Sequence, residues 1–157
     1  MNKKLNLISV ALVALMICLV SEVNGTTNSN DDPAANSKNA NHVYWIITTS
    51  IKDGELKNLK ALNAEMVKAT RDNEPGTLSY DWSISADHKT CFFFEHYADS
   101  ASLLIHTKKF KEKYAERMMA MIEIKSFQVF GNPNDEVKKN LSAFGAEFPQ
   151  SIGGFTR

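Results

Sequence analysis

Residues 77–97 read TLSYDWSISADHKTCFFFEHY, and the way this stretch folds decides the rest of the chain. From Thr77 to Ser85 apolar Leu78, Tyr80, Trp82 and Ile84 alternate with Ser79, Asp81 and Ser83. A period of two marks a strand with one buried face. ADHK supplies turn residues and Thr90–Tyr97 forms the return strand, so the stretch is a predicted β-hairpin. An even loop, whether Asp87-His88 or Ala86–Lys89, sets Trp82 opposite Phe93, Tyr80 opposite Glu95 and Ser79 opposite His96. One face then carries Leu78, Tyr80, Trp82, Ile84, Cys91, Phe93, Glu95 and Tyr97. An odd loop would exchange the two faces. Phe92 and Phe94 point the other way from Phe93 and Tyr97, so both faces of the second strand are apolar.

Working outward, VYWIITTSI (Val43–Ile51) is rich in β-branched and aromatic residues and predicts a first strand. A helix is expected over about Glu55–Asp72, where Leu56, Leu59, Leu62, Met66 and Ala69 make one apolar stripe. NEPG ends that helix at Pro75-Gly76. Asp99 is a good N-cap for a second helical region, about Ser100–Ile122, with a break expected near Lys108. Leu103, His106, Phe110, Tyr114, Met118 and Met121 descend one side of it. Glu123–Gly131 predicts a fourth strand, Asn134–Phe144 a short surface helix, and Gly145–Arg157 an extended tail. Strand, helix, strand, strand, helix, strand is the order of an α+β, ferredoxin-like split βαβ fold. Helices can cover only one face of that sheet. The other face is expected to meet the sheet of a second copy, giving a homodimer, with the tail as the alternative cover.

The chain has 157 residues, 18 of them basic and 18 acidic, with no basic stripe, so no nucleic-acid partner is expected. Residues 1–25 read as an export signal: Lys3 and Lys4, then apolar Leu5–Val20, then a cleavage site near Gly25. The apolar run is too short for a stable membrane anchor, and the mature protein is expected in the periplasm or secreted. Residues 26–41 are rich in Asn, Ser and Asp and predict a disordered linker, leaving 42–133 as the domain and 134–157 as a C-terminal extension. Cys18 would leave with the signal, so Cys91 alone remains and no internal disulfide can form.

EPGTLSYDW, FFFEHYADSASLLIH, KKFKEKYAERMMAMI and FQVFGNP together resemble the antibiotic biosynthesis monooxygenase (ABM) family over about His42–Pro133. The resemblance implies a dimeric α+β barrel. It also implies cofactor-independent oxidation of a small aromatic or quinol-like compound by dioxygen. Haem-degrading members resemble one another in a tryptophan and a histidine where this chain has Tyr97 and Tyr114, so haem degradation is not implied.

On the hairpin register, Glu95 and His106 point into one aromatic-lined space. Burial would raise the pKa of Glu95 and lower that of His106, while pairing would oppose both shifts. A neutral histidine held by a carboxylate is a serviceable general base near neutral pH. His106 is therefore the candidate base, Glu95 its orienter and Tyr80 a hydrogen-bond partner. Trp45, Trp82, Phe93, Tyr97 and Phe110 are the candidate substrate-binding residues. Cys91 and the four histidines show no metal-ligand spacing, and no glycine-rich dinucleotide loop occurs, so no cofactor is expected. Two other readings stand beside this one. The same residues would suit a non-catalytic dimer that binds a small ligand, or a core in which His106 and Glu95 only make hydrogen bonds. Either ligand-dependent reading asks for a cavity of about 300 Å³ or more between Glu95, His106, Trp82 and Phe93, and a filled core there speaks against both.

Overall fold

A computed structural model describes residues 41–153. The expected signal, nearly all of the linker and residues 154–157 lie outside the described residues. The elements are β1 (Val43–Ile51), α1 (Leu56–Asn73), β2 (Thr77–Ile84), β3 (Thr90–Tyr97), α2 (Ser100–Lys113), α3 (Ala115–Met121), β4 (Ile122–Gly131) and α4 (Asp135–Ser142). The four strands form one antiparallel sheet in the order β2-β3-β1-β4, the α+β arrangement the hairpin implied. No helix among the described residues is long and apolar enough to cross a membrane.

The hairpin register is the even-loop one: Trp82 pairs with Phe93, Tyr80 with Glu95, Ser79 with His96 and Ile84 with Cys91. One correction concerns Leu78, expected on the covered face. The register shifts between Thr77 and Ser79, and Leu78 is half exposed. A bulge of this kind re-aims a side chain at a sheet edge. The second helical region breaks at Tyr114 rather than near Lys108. Tyr114 has φ −126°, outside helical geometry, yet its N–H still bonds the Phe110 carbonyl and its carbonyl accepts from Met118. Lys108 remains inside a regular helix.

The core lies between the helices and one face of the sheet. Val43, Trp45, Tyr97, Leu103, Phe127 and Val129 form one cluster, and Leu59, Leu62, Met66, Phe93, Met118 and Ile122 another. The C-terminal helix is more than a surface decoration, because Val137 and Leu141 are buried in the first cluster. Beyond it, Glu147 bridges to Gln128 on the outer edge of β4, and Ala146 and Phe148 pack on the same helix-side cluster. That stretch of the tail therefore does not lie over the open sheet face. Ile46, Phe92 and Phe94 on that face are each about 40 % exposed, and Tyr44 stacks on Phe130 beside them.

Candidate functional site

Across the middle of the sheet, Tyr80 of β2, Glu95 of β3 and Trp45 of β1 occupy one row, because Glu95 is the register partner of both. Alternation turns all three toward the helices. Asp99, extended and accepting from the Ser102 N–H at 2.7 Å, starts α2 so that His106 comes down over this row. The imidazole lies 5.5 Å from the Tyr80 ring, 5.5 Å from Tyr97 and 6.0 Å from Trp45, centroid to centroid. His106 and Glu95 are both buried. The expected pair thus meets, with His106 Nε2 3.4 Å from Glu95 Oε2.

The nearer partner of His106 is a residue not expected from the sequence. Nδ1–H donates to Glu74 Oε2 at 2.8 Å, from a carboxylate that is itself buried. Glu74 sits at the end of α1, immediately before Pro75-Gly76. Gly76 is required there because a Cβ would come within 2.1 Å of Ser102 Oγ. That close approach sets the end of α1 against the first turn of α2, one turn from His106. The EPG signal was visible as a helix stop. Its contact with a histidine 32 residues away is a tertiary fact.

The hydroxyl that serves Glu95 also differs from expectation. Tyr80 is the cross-strand neighbour, but Tyr97 O–H donates to Glu95 Oε2 at 2.5 Å. Among the described residues, the Tyr80 hydroxyl and the indole N–H groups of Trp45 and Trp82 are buried without a hydrogen-bond partner. Trp82 Nε1 is near enough to lower the pKa of both Tyr80 and Glu95, though without full bond geometry. Among the remaining candidates, Phe93 packs edge-on to Trp82 at 4.5 Å, and Phe110 joins the second core cluster beside Tyr80 and Tyr114.

The electrostatics follow from this packing. Burial raises Glu95, and the opposing pull of His106 and the Tyr97 hydrogen bond does not cancel it. Burial also acts against charge on Glu74, but the His106 hydrogen bond and nearby charge outweigh it and hold that carboxyl below its ordinary range. For His106 burial is again overcome, here by Glu95 and Glu74, so its pKa is raised. Of the two opposing influences expected on His106, pairing thus prevails over burial. Burial pushes the hydroxyls of Tyr80 and Tyr97 far up, so both stay protonated donors. Cys91 is buried and its thiol is pushed up to about 11, consistent with packing rather than reactivity. No group of three or more His, Cys, Asp or Glu side chains among the described residues is arranged to hold a metal ion.

The two best-formed cavities are a pocket of about 30 Å³ beside Trp82, between α1 and the β2–β3 edge, and an open cleft of about 370 Å³ lined by Asn41, Asp99 and Asn134. The first has room for about one water, and the second lies away from Glu95 and His106. Neither is lined by Glu95 or His106.

Residues 42–121, half of the chain, match the sequence profile of the antibiotic biosynthesis monooxygenase family. The chain belongs to this family. No curated protein matches it. Among solved structures, this ABM protein is similar to MupZ from Pseudomonas fluorescens, with 24 % identity and a TM-score of 0.66 over 74 % of this chain and 95 % of that one. It is also similar to Rv0793 from Mycobacterium tuberculosis (24 % identity, TM-score 0.52, 60 % and 97 % covered). A conserved protein from Methanosarcina mazei Go1 gives 12 % identity and a TM-score of 0.54, with 60 % and 96 % covered. At these identities the likeness is one of fold. It says that the ABM domain is built as described, not what it acts on.

Proposed function

We propose that this ABM protein is an exported, homodimeric, monooxygenase-like enzyme that takes a proton from a small phenolic or quinol-like compound so that dioxygen can oxidise it. The observation that carries this reading is the buried Glu74–His106–Glu95 constellation with three unpartnered polar hydrogens, from Trp45, Tyr80 and Trp82, around it. A core evolved only to pack pairs or excludes such groups, because each unpaired buried donor costs on the order of 1–3 kcal/mol. Concentrations of shifted ionisable groups of this kind are typical of reaction sites.

In this reading the phenolic oxygen of the substrate takes its hydrogen bonds from Tyr80 and the indoles. Its proton passes to the Glu95–His106 couple. The resulting phenolate donates electrons to dioxygen. One oxygen atom enters the substrate and the other leaves as water with two substrate hydrogens, the substrate supplying all four electrons. Glu95 and His106 are buried, so substrate entry requires the site to open. We assign that opening to Tyr80 and Trp82, which lie on the edge strand and are only partly buried, Trp82 also bordering the small pocket beside α1. The open apolar face of Ile46, Phe92 and Phe94 supports the homodimer, since a patch of this kind on an exported chain calls for a cover.

The test is oxygen uptake by the folded protein over a panel of quinols and phenols, with His106→Ala alongside. Uptake that is lost in the variant is expected. If the wild type neither consumes oxygen nor binds any of these compounds, a packed, non-catalytic core is the better description. Binding without uptake would leave a ligand-binding module.

A further inference from the structure

Glu74 stands where a carboxylate has little local reason to be. It lies at the C-terminal end of α1, the negative end of the helix dipole, and it is buried. The helix stop does not need its side chain, since its backbone N–H already bonds the Thr70 carbonyl at 2.9 Å. A buried carboxylate in that position requires a cation or several donors. It has His106 Nδ1 at 2.8 Å, Thr77 Oγ1 donating at 3.4 Å and Lys109 Nζ at 3.8 Å. Lys109 is held mainly by the Asn73 carbonyl at 2.8 Å, so the imidazole is the principal partner.

The two nitrogens of His106 are held unequally. Nδ1 makes a full hydrogen bond to Glu74, whereas Nε2 stands 3.4 Å from Glu95, a looser ion-pair contact. We propose that Glu74 is a positioning residue that locks His106 through Nδ1–H, with Nε2–H turned to Glu95, so that Glu95 is the group that accepts the substrate proton. This rests on the proton-transfer reading above and reverses the roles expected of the two residues from the sequence. In the step, the substrate O–H bond breaks, a new O–H bond forms on the Glu95 carboxylate, and the electron pair stays on the substrate oxygen. His106, kept cationic by Glu74, stabilises the developing phenolate across the loose Nε2 end.

The groups that face the imidazole come from every element around it. They are Glu74 from α1, Tyr80 from β2, Glu95 and Tyr97 from β3, and Lys109 from its own helix. Without Glu74, a ring enclosed by Trp45, Tyr80 and Tyr97 would lose its charge and its fixed orientation.

The experiment is ring-nitrogen NMR of His106 in the folded chain labelled with ¹⁵N-histidine, titrated with pH, for wild type and Glu74→Gln. The amide keeps an acceptor for Nδ1–H and removes the charge. Wild type is expected to be doubly protonated at pH 7. In Glu74→Gln the titration midpoint should fall by about one pH unit or more, the effect of losing a charge within hydrogen-bond distance. A neutral wild-type ring at pH 7, or a folded Glu74→Gln with an unmoved midpoint, overturns the assignment. If Glu74→Gln does not fold, the wild-type ring at pH 7 decides alone. Failure of oxygen uptake would sink the oxidative reading and leave this titration as it stands. Normal uptake with an unmoved midpoint would sink only the role of Glu74.

Discussion

The two faces of β3 invert the usual division between interior and surface. Toward the helices the strand sends Cys91, Phe93, Glu95 and Tyr97, all buried, among them a carboxylate that meets a histidine. Toward the open side it sends Phe92 and Phe94, each about 40 % exposed, and His96. Charge is inside and phenylalanine is outside. Three consecutive phenylalanines therefore have two different roles, set only by the alternation of the strand. Keeping Glu95 inside lowers stability unless something is gained, whereas leaving Phe92 and Phe94 outside lowers solubility unless they are covered. The covered face is thus where a reaction is proposed, and the open face is where a second copy is proposed.

Replacing neighbouring phenylalanines is the most forceful way to break that contrast. Phe93→Ala should lose about 3–5 kcal/mol of stability in denaturant unfolding, the cost of a cavity in a filled core. Phe92→Ala, measured at concentrations where the chain is monomeric, should lose less than about 1 kcal/mol and should weaken self-association in sedimentation. Equal losses for the two would mean that the faces are not distinct.

The histidines of the two faces give the next contrast. If oxygen uptake is found, His106→Ala should reduce it about 100-fold or more, the usual range for losing a group that stabilises developing negative charge. His96, which bonds His42 at 2.9 Å on the other face, should tolerate replacement by alanine with turnover unchanged. A comparable loss from both would place the chemistry elsewhere.

The pH dependence of stability sharpens the comparison further. Burial raises Glu95, so its contribution falls as pH climbs from the ordinary carboxylate range through its higher folded value. For His106, burial is outweighed by Glu95 and Glu74. Its contribution is complete below about pH 6.5 and is lost as pH rises through its raised folded value. Glu74 has the opposite sign, being lowered, and its contribution is lost only as pH falls below the ordinary carboxylate range. Stability should therefore decline on the alkaline side. At about pH 9 Glu95→Gln should be more stable than wild type, because the buried charge is gone. A less stable Glu95→Gln at that pH would show Glu95 to be a structural anchor.

The smallest effect is expected from Tyr80→Phe. Its hydroxyl has no partner among the described residues, so its removal should leave the fold at least as stable as wild type. Any bound phenol should be held several-fold more weakly, as judged by tryptophan fluorescence. A marked loss of stability would reveal a partner for that hydroxyl in the core.

Most of the fold and part of the site could be read locally. Val43–Ile51 and Thr90–Tyr97 coincide with the expected strands because β-branched and aromatic runs with clear parity leave little choice of conformation. The hairpin register followed from an even loop, and with it the placement of Glu95, Tyr80, Trp82 and Phe93 on one face. Leu78 departed because a bulge at the strand start has no signal in the alternation. Glu74 was out of reach for a different reason. Its neighbours in sequence mark only a helix stop, and its value to His106 depends on Gly76 passing close to Ser102.

Periodicity is a property of neighbours along the chain, so it was enough to give the order of elements, the α+β class and the two apolar faces. Ionisation is a property of neighbours in space. Only the packed structure decided that His106 lies between Glu74 and Glu95, which together raise its pKa. It also gave the Glu95 oxygen to Tyr97 rather than Tyr80.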